Sequence, residues 1–174
     1  MLQNGNVLVM GGFTQNNALT MTSELYDPAA NRWSFTGSTE QQSLRMVSLL
    51  TGKVLSTDEP GNGPTGTTSE LYDPSTGKWT PTLGKMHFPR VNDAVTRLSD
   101  GSVLVSGGCS GIVCSFIARA EIFDPSSQQW SLDAALLTPR ESHSAVLLAD
   151  GRVLVAGGFN SHLQPLASAE VYTR

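Results

Sequence analysis

A chain of 174 residues suffices for one ordinary domain or for a few units of a repeat array. With 39% hydrophobic and 15% charged residues the composition is that of a globular protein, and a formal charge of −4 without a basic cluster argues against nucleic acid or an anionic membrane as partner. No apolar run reaches the length of a bilayer span, and none at the N-terminus resembles a signal peptide.

The chain opens at "MLQNGNVLV", the tail of a first strand, where Asn4-Gly5 marks a hairpin turn into a second strand at 6–10. Asn-Gly and Asp-Gly are strong hairpin signals because the residues of a type I′ turn need positive φ. Gly11-Gly12 ends the second strand, and the variable loop "FTQNNALTMT" leads to "SELYDP" at 23–28, a third strand. Asp27-Pro28 stops it, Asp suiting the first turn position and Pro the second. Trp33, seven residues after Tyr26, marks a fourth strand.

After the crossing "TGSTEQQS" the order restarts: a first strand at 44–50, a turn in "LLTGKVLS", a second strand at 53–57. Here Asp58-Glu59 replaces the glycine pair, and "DEPGNGPTGTT" leads to a second "SELYDP" at 69–74 and to Trp79. The crossing "LGKMHFPR", with His87 and Arg90, opens the third round. Its strands fall at 92–98 and 102–106 around Asp100-Gly101, followed by Gly107-Gly108, "CSGIVCSFIAR", "AEIFDP" at 120–125 and Trp130. In the fourth round "ALLTPRES" carries Arg140, and His143 begins a strand at 142–148. The round continues with Asp150-Gly151, a strand at 152–156, Gly157-Gly158, the loop "FNSHLQPLAS" with Asn160 and His162, and "AEVYT" at 169–173.

No stretch sustains a helical period, so the chain reads as all-β. Units of about 46–51 residues with four antiparallel strands are too thin to bury a core alone and must stack face to face, the logic of a β-propeller blade. The glycine pair, the Tyr and the later Trp resemble the kelch repeat, a blade related to the central domain of galactose oxidase. The resemblance covers essentially the whole chain and implies blade units of roughly 1–38, 39–85, 86–135 and 136–174. The strand count is three, four, four and three, about three and a half blades. The pattern is therefore expected to be a partial propeller, with a dimer or a small four-bladed ring as alternatives. The isolated chain is expected to self-associate, to be completed by another chain, or to belong to a longer polypeptide.

A residue that recurs in every blade reads as scaffold. The glutamates Glu24, Glu70, Glu121 and Glu170 on four blades cannot share one active site, and Arg90 and Arg140 follow Pro at equivalent crossings. Binding candidates therefore sit mainly in the variable loops and crossings, which share one face of a propeller. They are Asn16, Asn17, Asp58, Glu59, His87, Arg90, Arg140, His143, Asn160 and His162. Asp58 and Glu59 could hold a hard cation, but no further carboxylate lies near in sequence. Three histidines suit copper or zinc, yet no ligand spacing supports them, and the Tyr–Cys pair of the copper-radical oxidases has no counterpart. No catalytic residue, metal or cofactor is assigned.

Cys109 and Cys114 permit a small loop disulfide or two free thiols, the disulfide being expected if the chain is exported. The compartment stays open, with an extracellular or cell-surface setting slightly favoured. The polar, motif-free loops point to a non-enzymatic module that recognises a protein or glycan. The rival reading is part of a propeller enzyme acting on carbohydrate, of the galactose oxidase or sialic-acid epimerase type.

Overall fold

The computed structural model describes residues 1–40, 43–58, 66–111 and 114–174, without the side chains of Ser43, Leu44 and Asp58. Among the described residues there is no helix. Three strands, β1 (Val7–Met10), β2 (Thr22–Asp27) and β3 (Arg32–Ser38), form the first antiparallel sheet, in that order. The second contains β4 (Ser43–Ser48), β5 (Val54–Asp58), β6 (Ser69–Asp73) and β7 (Lys78–Pro81). In the third, β8 (Ala94–Arg97), β9 (Val103–Ser106), β12 (Ala120–Asp124) and β13 (Gln129–Asp133) lie side by side. The fourth joins β14 (Ser144–Leu147), β15 (Val153–Ala156) and β16 (Ala169–Tyr172). An unanticipated hairpin, β10 (Cys109–Ser110) with β11 (Ser115–Phe116), stands in the cysteine loop.

The Asn-Gly and Asp-Gly signals do mark hairpins, but the turns are not type I′. At 98–102, Leu98 N–H donates to Ser102 O (2.8 Å) and Gly101 N–H to Leu98 O (3.1 Å). Gly101 alone of the turn residues has positive φ, +88°. This is the three-residue connection in which a left-handed residue completes a bulge. The residue before the glycine serves as an acceptor instead: Asp100 Oδ1 takes the Ser102 amide (2.9 Å) and hydroxyl (2.6 Å), and Asn4 Oδ1 takes the Asn6 amide (3.0 Å).

The Asp-Pro stops work similarly. Asp124 Oδ1 accepts from the Ser126 amide (2.8 Å) and hydroxyl (2.7 Å), and Ser127 adds a bond to Oδ2 (2.8 Å). The Ser126 hydroxyl and amide, then the Ser127 hydroxyl, hold the carboxyl down at about 2. The strand thus reverses, and the aromatic of each hexapeptide meets the following tryptophan across the sheet. Tyr26 opposes Trp33, Tyr72 opposes Trp79 and Phe123 opposes Trp130, each with ring centroids 5.1 Å apart.

The sheets assort into two compact units, Met1–Glu59 with Thr68–Thr82 and Pro60–Thr67 with Leu83–Arg174. Each unit holds two sheets and its own core. In the first, Leu2, Leu8, Val54 and Tyr72 cluster with Leu25 and Trp79 against them. Trp79 Nε1 donates to Ser23 Oγ of the first sheet at 3.0 Å, so the indole is both apolar filler and a polar tie. In the second, Leu98, Leu104, Ala120, Ile122 and Leu136 pack with Val153, Val155 and Tyr172. β9 is buried on both faces, which explains why "VLV" is a continuous apolar run and not an alternation.

Trp33 is 51% exposed, whereas Trp130 at the equivalent position of the third sheet is buried. Trp33 stands on β3 of the first sheet, whereas Trp79 on β7 is tied to Ser23. The first strands start later than expected. Pairing begins at Ala94 and Ser144, because Asn92 (φ +56°) and Ser142 (φ +52°) leave the extended region just before.

Candidate binding face

In the second unit the crossings at 87–93 and 137–143 run beside the loops that follow β9 and β15. The glycine pair makes this approach possible. Gly108 (φ +85°) has Val91 O 2.6 Å from where a Cβ would stand, and at Gly107 (φ +62°) Arg140 O lies at 2.5 Å from the same point. The backbone then bonds sideways: Val91 N–H to Cys109 O (2.8 Å), Cys109 N–H to Val91 O (2.9 Å), and Gly108 N–H to Arg140 O (2.8 Å). Ser142 N–H donates to Asn92 O (2.8 Å), which ties the two crossings to each other.

Glutamate and arginine hold this arrangement from beneath. Glu121 accepts from the His87 amide (2.7 Å), the Phe88 amide (3.1 Å) and Arg90 Nη2 (2.7 Å), and it pairs with His87 Nδ1 at 2.9 Å. Arg90 Nη1 donates to Gly107 O and Arg119 O, both at 3.0 Å. Glu170 repeats the scheme with the amides of Leu137 (2.6 Å) and Thr138 (3.0 Å) and with Arg140 Nη2 (2.6 Å). Burial pushes the Glu170 carboxyl up, but the two amides and the guanidinium outweigh it and leave it below its ordinary value. In the first unit Glu70 takes the Glu40 amide at 3.0 Å. Glu70, Glu121 and Glu170 thus clamp the incoming crossings.

These contacts locate the residues singled out from sequence. Arg90 and Arg140 are fully buried in the clamp, and His87 joins it through Nδ1 while its ring stays about half exposed. His143 is buried, with Nε2 3.1 Å from Ser106 Oγ. Burial, then the positive Arg140, lowers its pKa to about 4, so the ring is neutral near neutral pH. Asn160 Oδ1 accepts the amides of His162 (2.9 Å) and Gln164 (3.1 Å), closing a small loop that exposes His162 and Leu163. In the first unit Asn17, at φ +55°, closes a turn on Thr14 O (2.9 Å), with Asn16 exposed beside it and Phe13 exposed at its foot. Asp58 ends β5; its side chain and the whole of Glu59 lie outside the described residues.

Cys109 and Cys114 form a disulfide across the β10–β11 hairpin. Glu141, which sequence reasoning passed over, lies against it with Oε2 3.1 Å from Cys109 Sγ and 3.3 Å from Cys114 Sγ. The signal was available: Glu141 follows Arg140 where the preceding crossing has the apolar Val91 after Arg90.

The Kelch motif family model matches residues 92–134. That stretch is a kelch repeat. It contains the entire third sheet with its cysteine hairpin, and the kelch blade's glycine pair, aromatic and tryptophan recur in order through the first sheet. An F-box/kelch-repeat protein of Arabidopsis thaliana is 40% identical over 79 residues, 40% of this chain. The aligned kelch segment spans 20% of that relative's length.

Proposed function

We propose that this chain is a non-enzymatic kelch module that recognises a protein partner through its variable loops, by shape and hydrogen-bond complementarity without a covalent step. One observation carries the reading. The recurring glutamates and arginines of the second unit face inward to the crossings, and its non-recurring loops carry exposed side chains. Phe159 and Leu163 offer apolar anchors, and His162 on the same loop and Ser115 on the cysteine hairpin offer polar groups. A rigid scaffold presenting such loops fits binding. The Phe13–Leu19 loop offers the first unit a similar surface, with Asn16 and Asn17.

The glycan reading and the carbohydrate-enzyme reading predict other outcomes in the same experiment. The purified chain and a Phe159→Ala/Leu163→Ala double variant would be compared by affinity capture, on a glycan array, and in a copper-supplemented sugar-oxidation assay. The proposal expects a protein ligand whose capture falls at least tenfold in the double variant, whose circular dichroism is unchanged. Glycan binding or sugar turnover without a protein ligand would overturn it.

A further inference from the structure

Glu141 differs from Glu121 in how its buried carboxylate is held. It is 7% exposed, and the donor to its Oε2 among the described residues is Asn92 Nδ2 at 3.2 Å. Glu121, by contrast, takes two amides and a guanidinium. Oε2 also lies 3.1 and 3.3 Å from the two sulfurs, which carry no hydrogen while they are bonded to each other. A buried carboxylate ordinarily collects several donors. Reduction of the disulfide would supply two.

The three groups also have the composition of a metal site. Sγ of Cys109, Sγ of Cys114 and a carboxylate oxygen of Glu141 all lie within 4.8 Å of one another. A tetrahedral zinc ion with Zn–S of about 2.3 Å and Zn–O of about 2.0 Å places sulfur and oxygen about 3.5 Å apart. The observed sulfur–oxygen separations are within a few tenths of an ångström of that figure. Only the sulfurs must part, to about 3.8 Å. Cys114 stands on a hairpin of just two strand pairs and is the more exposed of the two, so it is the sulfur that can move.

We propose that Cys109, Cys114 and Glu141 form a redox-gated site for a borderline-soft divalent cation of the zinc class, closed in the disulfide form and opened by reduction. An external dithiol supplies the electrons. One of its thiolates attacks Cys114 Sγ, and the S–S bond breaks with its electron pair on Cys109 Sγ. The second thiolate then attacks the reductant's own sulfur in the mixed disulfide and expels Cys114 thiolate. The reductant leaves as a cyclic disulfide, and its two protons end on the two cysteine sulfurs. The cation displaces those protons to solvent and binds two thiolates and one carboxylate oxygen, with water in the fourth position. Thiolates select against magnesium and calcium, and the carboxylate selects against copper(I).

The test uses the full chain and Co2+ as the probe. Protein reduced by a phosphine under nitrogen should bind one equivalent of Co2+ with thiolate-to-cobalt charge-transfer absorption, which Zn2+ abolishes by displacement. The oxidised chain should show no such band. Glu141→Gln should weaken Co2+ binding at least tenfold, and Cys114→Ser should remove the band. A reduced chain without the band overturns the proposal, as does Glu141→Gln of unchanged affinity or Cys114→Ser that keeps the band. Should the Glu141 variant misfold by circular dichroism, the wild-type and Cys114→Ser titrations still decide.

Discussion

At the scale of single residues, the clamps carry the sharpest energetic consequences. Glu121 neutralises a fully buried guanidinium, and removing one partner of such a pair leaves an uncompensated charge. Glu121→Ala should therefore cost about 3 to 5 kcal/mol, read as a lowered urea midpoint. His143 adds a pH dependence. Its folded pKa of about 4 lies below the 6.5 of a free ring, so between those values the unfolded chain binds the extra proton. Stability from the neutral ring is complete above about pH 6.5 and is lost as the pH falls toward 4. Partial solvent access limits the loss to on the order of 2 kcal/mol. Urea titrations across that range should show the decline, and His143→Gln should remove it. A decline that survives in the variant would assign the effect to other groups.

At the scale of the element, the glycine pair is a spacing device as much as a turn. At Gly108 the conformation and the close carbonyl of Val91 act together, whereas at Gly12 (φ +104°) a Cβ would meet nothing within 4 Å. A left-handed alanine costs of order 1 to 3 kcal/mol, so Gly12→Ala should lose about that much and Gly108→Ala clearly more. Equal losses in thermal melts would refute the steric contribution. Strand order, hairpin positions and the tryptophan-bearing fourth strands were legible in the sequence because each rests on local residue chemistry: turn formers, alternation and the seven-residue offset. Turn type was not, since Asp100 and Gly101 fit both a type I′ pair and an Asx-stabilised bulge. The start of β8 was missed because nothing in "RVNDAV" announces the positive φ of Asn92. The proximity of Glu141 to the cysteines was hidden for another reason. It arises between two sheets, from residues 32 and 27 positions apart.

At the scale of the molecule, apolar side chains stay uncovered on particular sheets. Trp33 and Phe35 stand out of the first sheet, and Val146 and Val171 out of the fourth, all exposed. Exposed apolar surface of this kind favours association. The isolated chain should therefore self-associate in dilute solution, and Trp33→Ser/Phe35→Ser should reduce it; light scattering decides, and a stable monomer would count against the prediction. The clamps have a different consequence, for how such a chain can change over generations. Arg90 in the crossing into the third sheet answers Glu121 of that sheet, and Arg140 in the crossing into the fourth answers Glu170. Each of these two sheets, with the crossing that leads into it, carries both signs of its own interior charge. A genetic duplication or deletion that respects the crossing adds or removes a matched pair and strands neither ion in the core. One cut between clamp and crossing would leave a lone guanidinium where water cannot reach it. Viable lengths of this architecture should therefore differ by whole units, with breakpoints ahead of the arginine and never between it and its glutamate.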